Sequence, residues 1–144
     1  MEFRILRLTD SGTYFSGPSD SDYLRILSHI FTDGLSLTRW IIEEVPKSNF
    51  KGLSGNITSV RAVSNNLIQV NYLDWIDWDT ETITICRNDL VRIAKEGLSL
   101  MINNVPYIVL IRENENSPIV ITDQLPEEIE LYTENKQLKY RLKN

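Results

Sequence analysis

The stretch from Leu67 to Met101 constrains the fold most, because its hydrophobic period changes once along its length. Apolar and polar residues alternate from Ile68 to Tyr72 and again from Glu81 to Cys86, which predicts two β-strands that each bury one face. A short acidic segment separates the two runs, so we expect an antiparallel hairpin. A helix is predicted after Cys86, because apolar residues and one glycine recur on a single helical face: Leu90, Ile93, Ala94, Gly97 and Met101.

Three residues in or beside that helix carry specific expectations. Asn88 is a good residue type for its N-cap. Gly97 lies within the apolar stripe, where glycine is about 1 kcal/mol less favourable than alanine, so we expect it to let the helix approach the sheet closely. Cys86 continues the strand face of Thr82 and Thr84, and we expect a buried or half-buried structural cysteine rather than a reactive thiol.

Two further helices are predicted in the first third of the chain. The first begins after Ser19 and ends at Asp33-Gly34, since glycine commonly follows a helix C-terminus. Its only histidine, His29, falls on the polar face opposite the apolar stripe, and we predict an exposed side chain. The second begins at Ser36 and ends at Pro46, with Trp40 facing inward. The run from Trp40 to Ile42 is also compatible with a strand.

The remaining segments predict strands and loops. Residues 2–8 read as a strand, and Thr9–Ser19 and Lys47–Asn56 read as loops because glycine, serine and proline interrupt any period. Residues 57–86 predict a three-stranded meander. Further strands are predicted at Tyr107–Ile111 and Pro118–Thr122, followed by a hairpin that turns at Asn135-Lys136. The chain is therefore predicted to be α+β with a mainly antiparallel sheet, and residues 1–144 to form one domain.

Composition limits the possible partners and compartments. The single cysteine excludes an internal disulfide and a multi-cysteine metal site. No apolar run is long enough for a signal peptide or a membrane span, so we predict a cytoplasmic protein that does not bind membranes. The net charge is −5 with scattered basic residues, which argues against nucleic acid as a partner. The basic residues near the C-terminus follow several glutamates, and we predict cross-strand ion pairs there.

The acidic segment between the two strands of the hairpin is the candidate site. It alternates carboxylates with tryptophans, and we predict that these residues contact a basic protein partner: Asp74, Trp75, Asp77, Trp78, Asp79 and Glu81. One alternative is a solvated turn whose charges discourage edge pairing. Another is a site for a divalent cation formed by Asp77, Asp79 and Glu81, which would lie on one side of an extended chain.

Three hypotheses for function follow from these patterns. The first is a small bacterial immunity-type or inhibitor protein that neutralises a toxin or enzyme by binding it. The second is a scaffold domain of a larger assembly, such as a phage component. The third is a metal-dependent hydrolase that uses the three carboxylates. The glycines are dispersed and form no phosphate-binding loop, and we predict no cofactor.

Overall fold

The structure is a computed structural model that describes residues 1–74, 76 and 78–143. Its helices are α1 (Asp22–Thr32), α2 (Leu35–Glu44) and α3 (Arg87–Ile102). Its strands are β1 (Glu2–Leu8), β2 (Tyr14–Ser19), β3 (Gly52–Ser54), β4 (Thr58–Ala62), β5 (Leu67–Asp74), β6 (Asp79–Cys86), β7 (Tyr107–Arg112), β8 (Val120–Thr122), β9 (Ile129–Glu134) and β10 (Gln137–Leu142). The predicted α+β class with antiparallel sheets is confirmed.

The strands form three antiparallel sheets. The first, sheet A, has the order β2-β1-β7-β8, the second, sheet B, has the order β3-β4-β5-β6, and β9 pairs with β10 in a hairpin. The central place of β7 in sheet A explains its continuous apolar sequence, since both of its faces are covered. One face of sheet A packs against the helices, while Phe3, Ile5 and Val109 on its other face pack against Ile129 of the C-terminal hairpin.

Helix α1 lies between the two larger sheets. It contacts β1, β2 and β7 of sheet A and β5 and β6 of sheet B. Seven of its residues are buried in consequence, including both apolar and polar positions: Leu24, Ile26, Leu27, Ser28, His29, Ile30 and Phe31. A helix covered on two sides has no wide solvent-facing surface. The amphipathic pattern alone therefore predicts fewer buried residues than the helix has.

Gly97 allows α3 to approach α1 rather than the sheet. A side-chain Cβ at this position would overlap with the ring of Phe31, which lies on α1 and is itself buried. The predicted close approach is therefore present, but its partner is the helix and not, as expected, the sheet. The apolar stripe of α3 is otherwise as predicted, with Leu90, Ile93 and Ala94 fully buried.

Two predicted loops contain edge strands. Strand β2 lies within the predicted loop Thr9–Ser19, and β3 lies within Lys47–Asn56, so the meander is part of a four-stranded sheet. Both are edge strands, where proline and glycine are tolerated because one side of the backbone needs no partner. Gly17 is required in β2, since a Cβ there would lie 2.7 Å from the carbonyl oxygen of Ile5.

The helix starts also differ from the predictions. The side chain of Ser21, not Ser19, accepts the backbone N–H of Leu24 and caps α1. Helix α3 begins one residue before Asn88, and its N-cap is Cys86 without a side-chain hydrogen bond. Helix α2 begins after Gly34, before the predicted cap at Ser36.

Trp40 faces solvent, with 48% of its surface exposed, although the sequence predicted that it faces inward. The buried stripe of α2 is formed by Leu37, Thr38, Ile41 and Val45. The buried stripe is centred closer to Thr38 than the sequence predicted. Successive residues are rotated by 100° around a helix, so a stripe centred there leaves position 40 on the solvent side.

Candidate functional site

The hairpin formed by β5 and β6 extends past the helix that supports it. Tyr72 pairs with Glu81 in the strand register, and both side chains contact α1, Tyr72 through a ring stack and Glu81 through an ion pair. Leu73 pairs with Thr80 and Asp74 pairs with Asp79 beyond it. We call residues 74–79 the hairpin tip. The pair of Tyr72 and Glu81 below the tip attaches both strands of the hairpin to α1.

The first anchor is a stack between Tyr72 and His29. The two ring centroids lie 3.7 Å apart and the planes are inclined by 6°. The Nδ1 atom of His29 lies 2.9 Å from the hydroxyl of Thr32, at hydrogen-bonding distance. Burial, together with the positive charges of Arg4 and Arg25, lowers the pKa of His29 from 6.5 to about 4. The imidazole is therefore neutral at physiological pH.

His29 corrects the expectation of an exposed histidine. Only 5% of its surface is accessible, because β5 covers the side of α1 that the pattern assigned to solvent. The ring thus serves as a flat packing surface for the hairpin. Neither a serine nor a cysteine side chain is hydrogen-bonded to it among the described residues.

The second anchor is an ion pair between α1 and the hairpin. The Nη2 atom of Arg25 lies 2.7 Å from the Oε2 atom of Glu81, and the same nitrogen lies 3.3 Å from a carboxylate oxygen of Asp22. The Arg25 and Glu81 side chains are about two-thirds buried. Glu81 was predicted to contact a partner, and in the structure its carboxylate already faces a cation of the same chain.

A buried arginine lies behind these anchors. Arg4 shares the helix-facing side of β1 with Leu6, and only 3% of its surface is accessible. It donates from Nε to the Ser28 hydroxyl and from Nη1 to the carbonyl oxygen of Gly17. Burial lowers its pKa to about 10, with a further contribution from the charge of Arg25, so Arg4 stays charged at neutral pH and contributes positive potential at His29.

The tip presents two large apolar side chains to solvent. Ile76 is 77% exposed and Trp78 is 76% exposed. The backbone of Trp78 has φ = 57°, the left-handed region that bulky residues rarely adopt. A carboxylate oxygen of Asp74 accepts the backbone N–H of Ile76 at 3.1 Å and so fixes the start of the turn.

Negative charge surrounds these apolar side chains. Asp74 and Asp79 face each other across the two strands at the base of the tip, and Asp79 is exposed. The Asp22 side chain, which contacts Arg25 near the same end of the hairpin, is 90% exposed. Trp75 and Asp77, the other two predicted contact residues, lie outside the described residues.

The metal hypothesis depends on three carboxylates, of which the structure describes Asp79 and Glu81. Among the residues it describes, no group of three or more histidine, cysteine, aspartate or glutamate side chains is arranged to hold a metal ion. Glu81 is turned toward Arg25, while Asp77 is not described. The described geometry therefore adds no ligand set to the sequence pattern.

Two structurally important residues escaped the sequence analysis. The predicted contact residues were all charged or aromatic and did not include Ile76, although its position between two tryptophans is visible in the sequence. For Asp33, the sequence predicted only that the first helix ends there. Its carboxylate accepts the backbone N–H groups of Asn56, Ile57 and Thr58 at 3.0–3.2 Å, which attaches the start of β4 to the end of α1.

Cys86 is exposed, contrary to the prediction of a buried or half-buried thiol. It belongs to the outer face of sheet B with Thr82 and Thr84, and the helices cover only the opposite face. The cross-strand ion pairs predicted in the C-terminal hairpin are confirmed for Lys139 with Glu134 and for Arg141 with Glu130.

The chain was compared with protein families, curated proteins and solved structures. No protein-family model matches the chain, and neither the curated proteins nor the solved structures give a significant match. In the part of the chain that the structure describes, none of the helices combines the length and the apolar character needed to cross a membrane.

Proposed function

We propose that this protein is a non-enzymatic binding module that recognises a basic protein partner through the hairpin tip. The observation that carries the proposal is Trp78, which combines a left-handed backbone with a side chain that is 76% exposed. A strained backbone at a bulky residue is unfavourable for folding, by about 1–3 kcal/mol. Glycine would avoid that cost, so a tryptophan here indicates a role outside the protein's own core.

The chemistry of the tip favours an anchored contact. Tryptophan is enriched among the few interface residues that dominate binding free energy, and such residues insert into pockets of the partner. Ile76 lies two residues away with a similarly exposed side chain. The two side chains together supply an apolar centre, and the aspartates at the base supply a charged rim.

The anchors beneath the tip support the same proposal. The stack of Tyr72 on His29 and the pair of Arg25 with Glu81 hold both strands on α1. A rigid presentation reduces the conformational entropy that is lost on binding. This is the arrangement expected of a preformed recognition element rather than of a loosely solvated turn.

The charge of the tip favours a basic partner. Asp74 and Asp79 lie at its base, and the whole chain carries a net charge of −5. Complementary charge accelerates association and excludes acidic partners. A narrow acidic hairpin with an apolar end also suits insertion into the cleft of an enzyme that binds an anionic substrate.

We extend the proposal to the biological role: a cytoplasmic inhibitor of immunity type, which occupies the active surface of a basic toxin or enzyme in a bacterial cell. Such a role requires a complementary surface rather than catalytic groups. The alternative role as a scaffold of a larger assembly would use the same tip for weaker contacts with many partners or with copies of this chain.

Site-specific crosslinking in the source cell tests the proposal. The photoreactive residue p-benzoylphenylalanine is placed at position 78 in one variant and at position 40 in a control, since Trp40 is an exposed tryptophan on α2, away from the hairpin. We expect position 78 alone to crosslink to one basic protein. Inhibition of that protein's activity by the purified chain would support the inhibitor role.

Several outcomes would count against the proposal. Equal crosslinking from both positions, or none from position 78, would remove the tip from the interface. Crosslinks from position 78 to many proteins or to this chain itself would favour the scaffold role over the inhibitor role.

A further inference from the structure

A cavity of about 420 Å³ opens between the C-terminal ends of α1 and α3, the N-terminal end of α2 and the turn from β1 to β2. It shares no lining residue with the hairpin tip. Its volume lies in the range of sites that hold small organic molecules, roughly 300–1,000 Å³. The cavity is therefore large enough for a ligand and is independent of the proposed protein interface.

The lining is mostly apolar. Side chains of Phe31, Leu35, Met101 and Ile102 contribute to it, and Leu35 and Ile102 are 40% and 55% exposed although both are large and apolar. An aliphatic or aromatic ligand that covered these side chains would remove apolar surface from water, at about 25 cal/mol per Å².

One charged residue lies at this apolar site. Arg39 of α2 is the one charged residue among the described residues that line the cavity. None of the ion pairs among the described residues involves it. Thr13 and Thr32 add hydroxyl groups to the same lining. The site thus combines an apolar surface with a cation at one position and with neutral hydrogen-bonding groups nearby.

The backbone keeps the cavity open. Gly12 and Gly34 both line it and have φ angles of 82° and 117°, which residues with side chains rarely adopt. A Cβ built on either glycine meets no atom within 4 Å. The turn from β1 to β2 and the junction between α1 and α2 therefore leave space where side chains would otherwise project.

We propose that this cavity binds a small amphipathic carboxylate, whose apolar body covers Leu35, Met101 and Ile102 and whose carboxylate pairs with Arg39. The sign of the ligand charge follows from the lining, which offers a cation and no carboxylate. The planar guanidinium presents paired N–H donors that match the two oxygens of a carboxylate.

Octanoate and its uncharged analogue 1-octanol are suitable probes, followed by heteronuclear NMR on the full chain. We expect saturable shifts of the amides of Gly12, Thr32 and Gly34, with octanoate bound about tenfold more tightly than octanol, the effect of one charged hydrogen-bonded pair at a partly exposed site. Arg39→Gln should reduce octanoate affinity to that of octanol and leave octanol unchanged.

Two further variants separate the site from general effects. Arg61→Gln removes an arginine that bonds Gln69 on sheet B and lies away from the cavity, and octanoate affinity should be unchanged. Ile102→Asp places a carboxylate in the exposed apolar lining and should abolish octanoate binding while the amide spectrum shows a folded chain. The proposal is overturned if octanoate gives no saturable shift, if octanol binds equally well, or if both arginine variants have the same effect.

Discussion

The imidazole of His29 lies flat against the phenol ring of Tyr72, with 3.7 Å between ring centroids and 6° between planes. This contact joins α1 to β5 two residues below the base of the hairpin tip. The imidazole in this contact is neutral at pH 7, because burial and the charges of Arg4 and Arg25 lower its pKa. Protonation of this buried side chain would add a positive charge next to those two arginines.

Stability should fall in acid through His29. Its pKa is about 4 in the folded chain against 6.5 ordinarily, so between these values the unfolded chain binds a proton that the folded chain does not. The contribution is complete above pH 6.5 and is lost as the pH falls toward 4. The difference corresponds to about 3 kcal/mol of unfolding free energy.

Urea unfolding of wild type and His29→Phe at pH 7 and pH 4.5 measures this contribution. Phenylalanine keeps a ring against Tyr72 and cannot be protonated, so the wild type should lose more stability than the variant on acidification. The charged groups that act on His29, Arg4 and Arg25, are present in both proteins, as is Glu81, which pairs with Arg25. Parallel losses in the two proteins would show that His29 is not the titrating group.

Gly97→Ala should destabilise the protein although alanine is the better helix former. The added methyl group overlaps with the ring of Phe31, and overpacking of a core typically costs 1–3 kcal/mol, more than the propensity gain of about 1 kcal/mol. Thermal unfolding of Gly97→Ala should show a lower Tm. Ser99→Ala, at an exposed position of the same helix, is the control and should be neutral or slightly stabilising.

The double variant Gly97→Ala with Phe31→Leu tests the cause. If the ring overlap is responsible, the alanine should cost less in the Phe31→Leu background than in wild type. An equal cost in both backgrounds would place the effect elsewhere.

Asp33→Ala should lower stability by about 2–3 kcal/mol. The carboxylate accepts three backbone N–H groups at the start of β4, and hydrogen bonds to charged groups are worth about 1.5–3 kcal/mol each, although partial exposure reduces the total. Chemical denaturation compared with Asp123→Ala, an exposed aspartate near the end of β8, measures the difference. A loss no larger than in that control would show that water replaces the carboxylate.

The sequence predicted most reliably the strands that bury one face against a single neighbouring layer. The meander and the C-terminal hairpin each bury one face against one layer, so their alternation was sufficient. The apolar stripe of α3 was also predicted, although this helix contacts α1, α2 and strands of both larger sheets. His29 was mispredicted because α1 is covered by two sheets, and a period of 3.6 cannot show a second covering layer. Strands β2 and β3 were missed because edge positions tolerate glycine and proline.

The sequence predicted the candidate site only in part. The acid-and-tryptophan composition located the tip, since composition is a property of the sequence. The exposure of Ile76 and the left-handed backbone of Trp78 depend on the geometry of the turn. The pairing of Glu81 with Arg25 depends on how the hairpin packs on α1. These features distinguish Ile76 and Trp78, whose side chains project from the tip, from Glu81, which supports it.

Trp78→Gly separates binding from folding most directly. The dissociation constant of the crosslinked partner is measured for wild type, Trp78→Gly and the control Trp40→Ala, together with the unfolding free energy of each. Glycine relieves the left-handed backbone, so stability should be kept or raised by about 1 kcal/mol, while loss of the anchor should weaken binding about thirtyfold. Unchanged affinity in Trp78→Gly, or an equal loss in Trp40→Ala, would contradict the proposal that the hairpin tip is the binding surface.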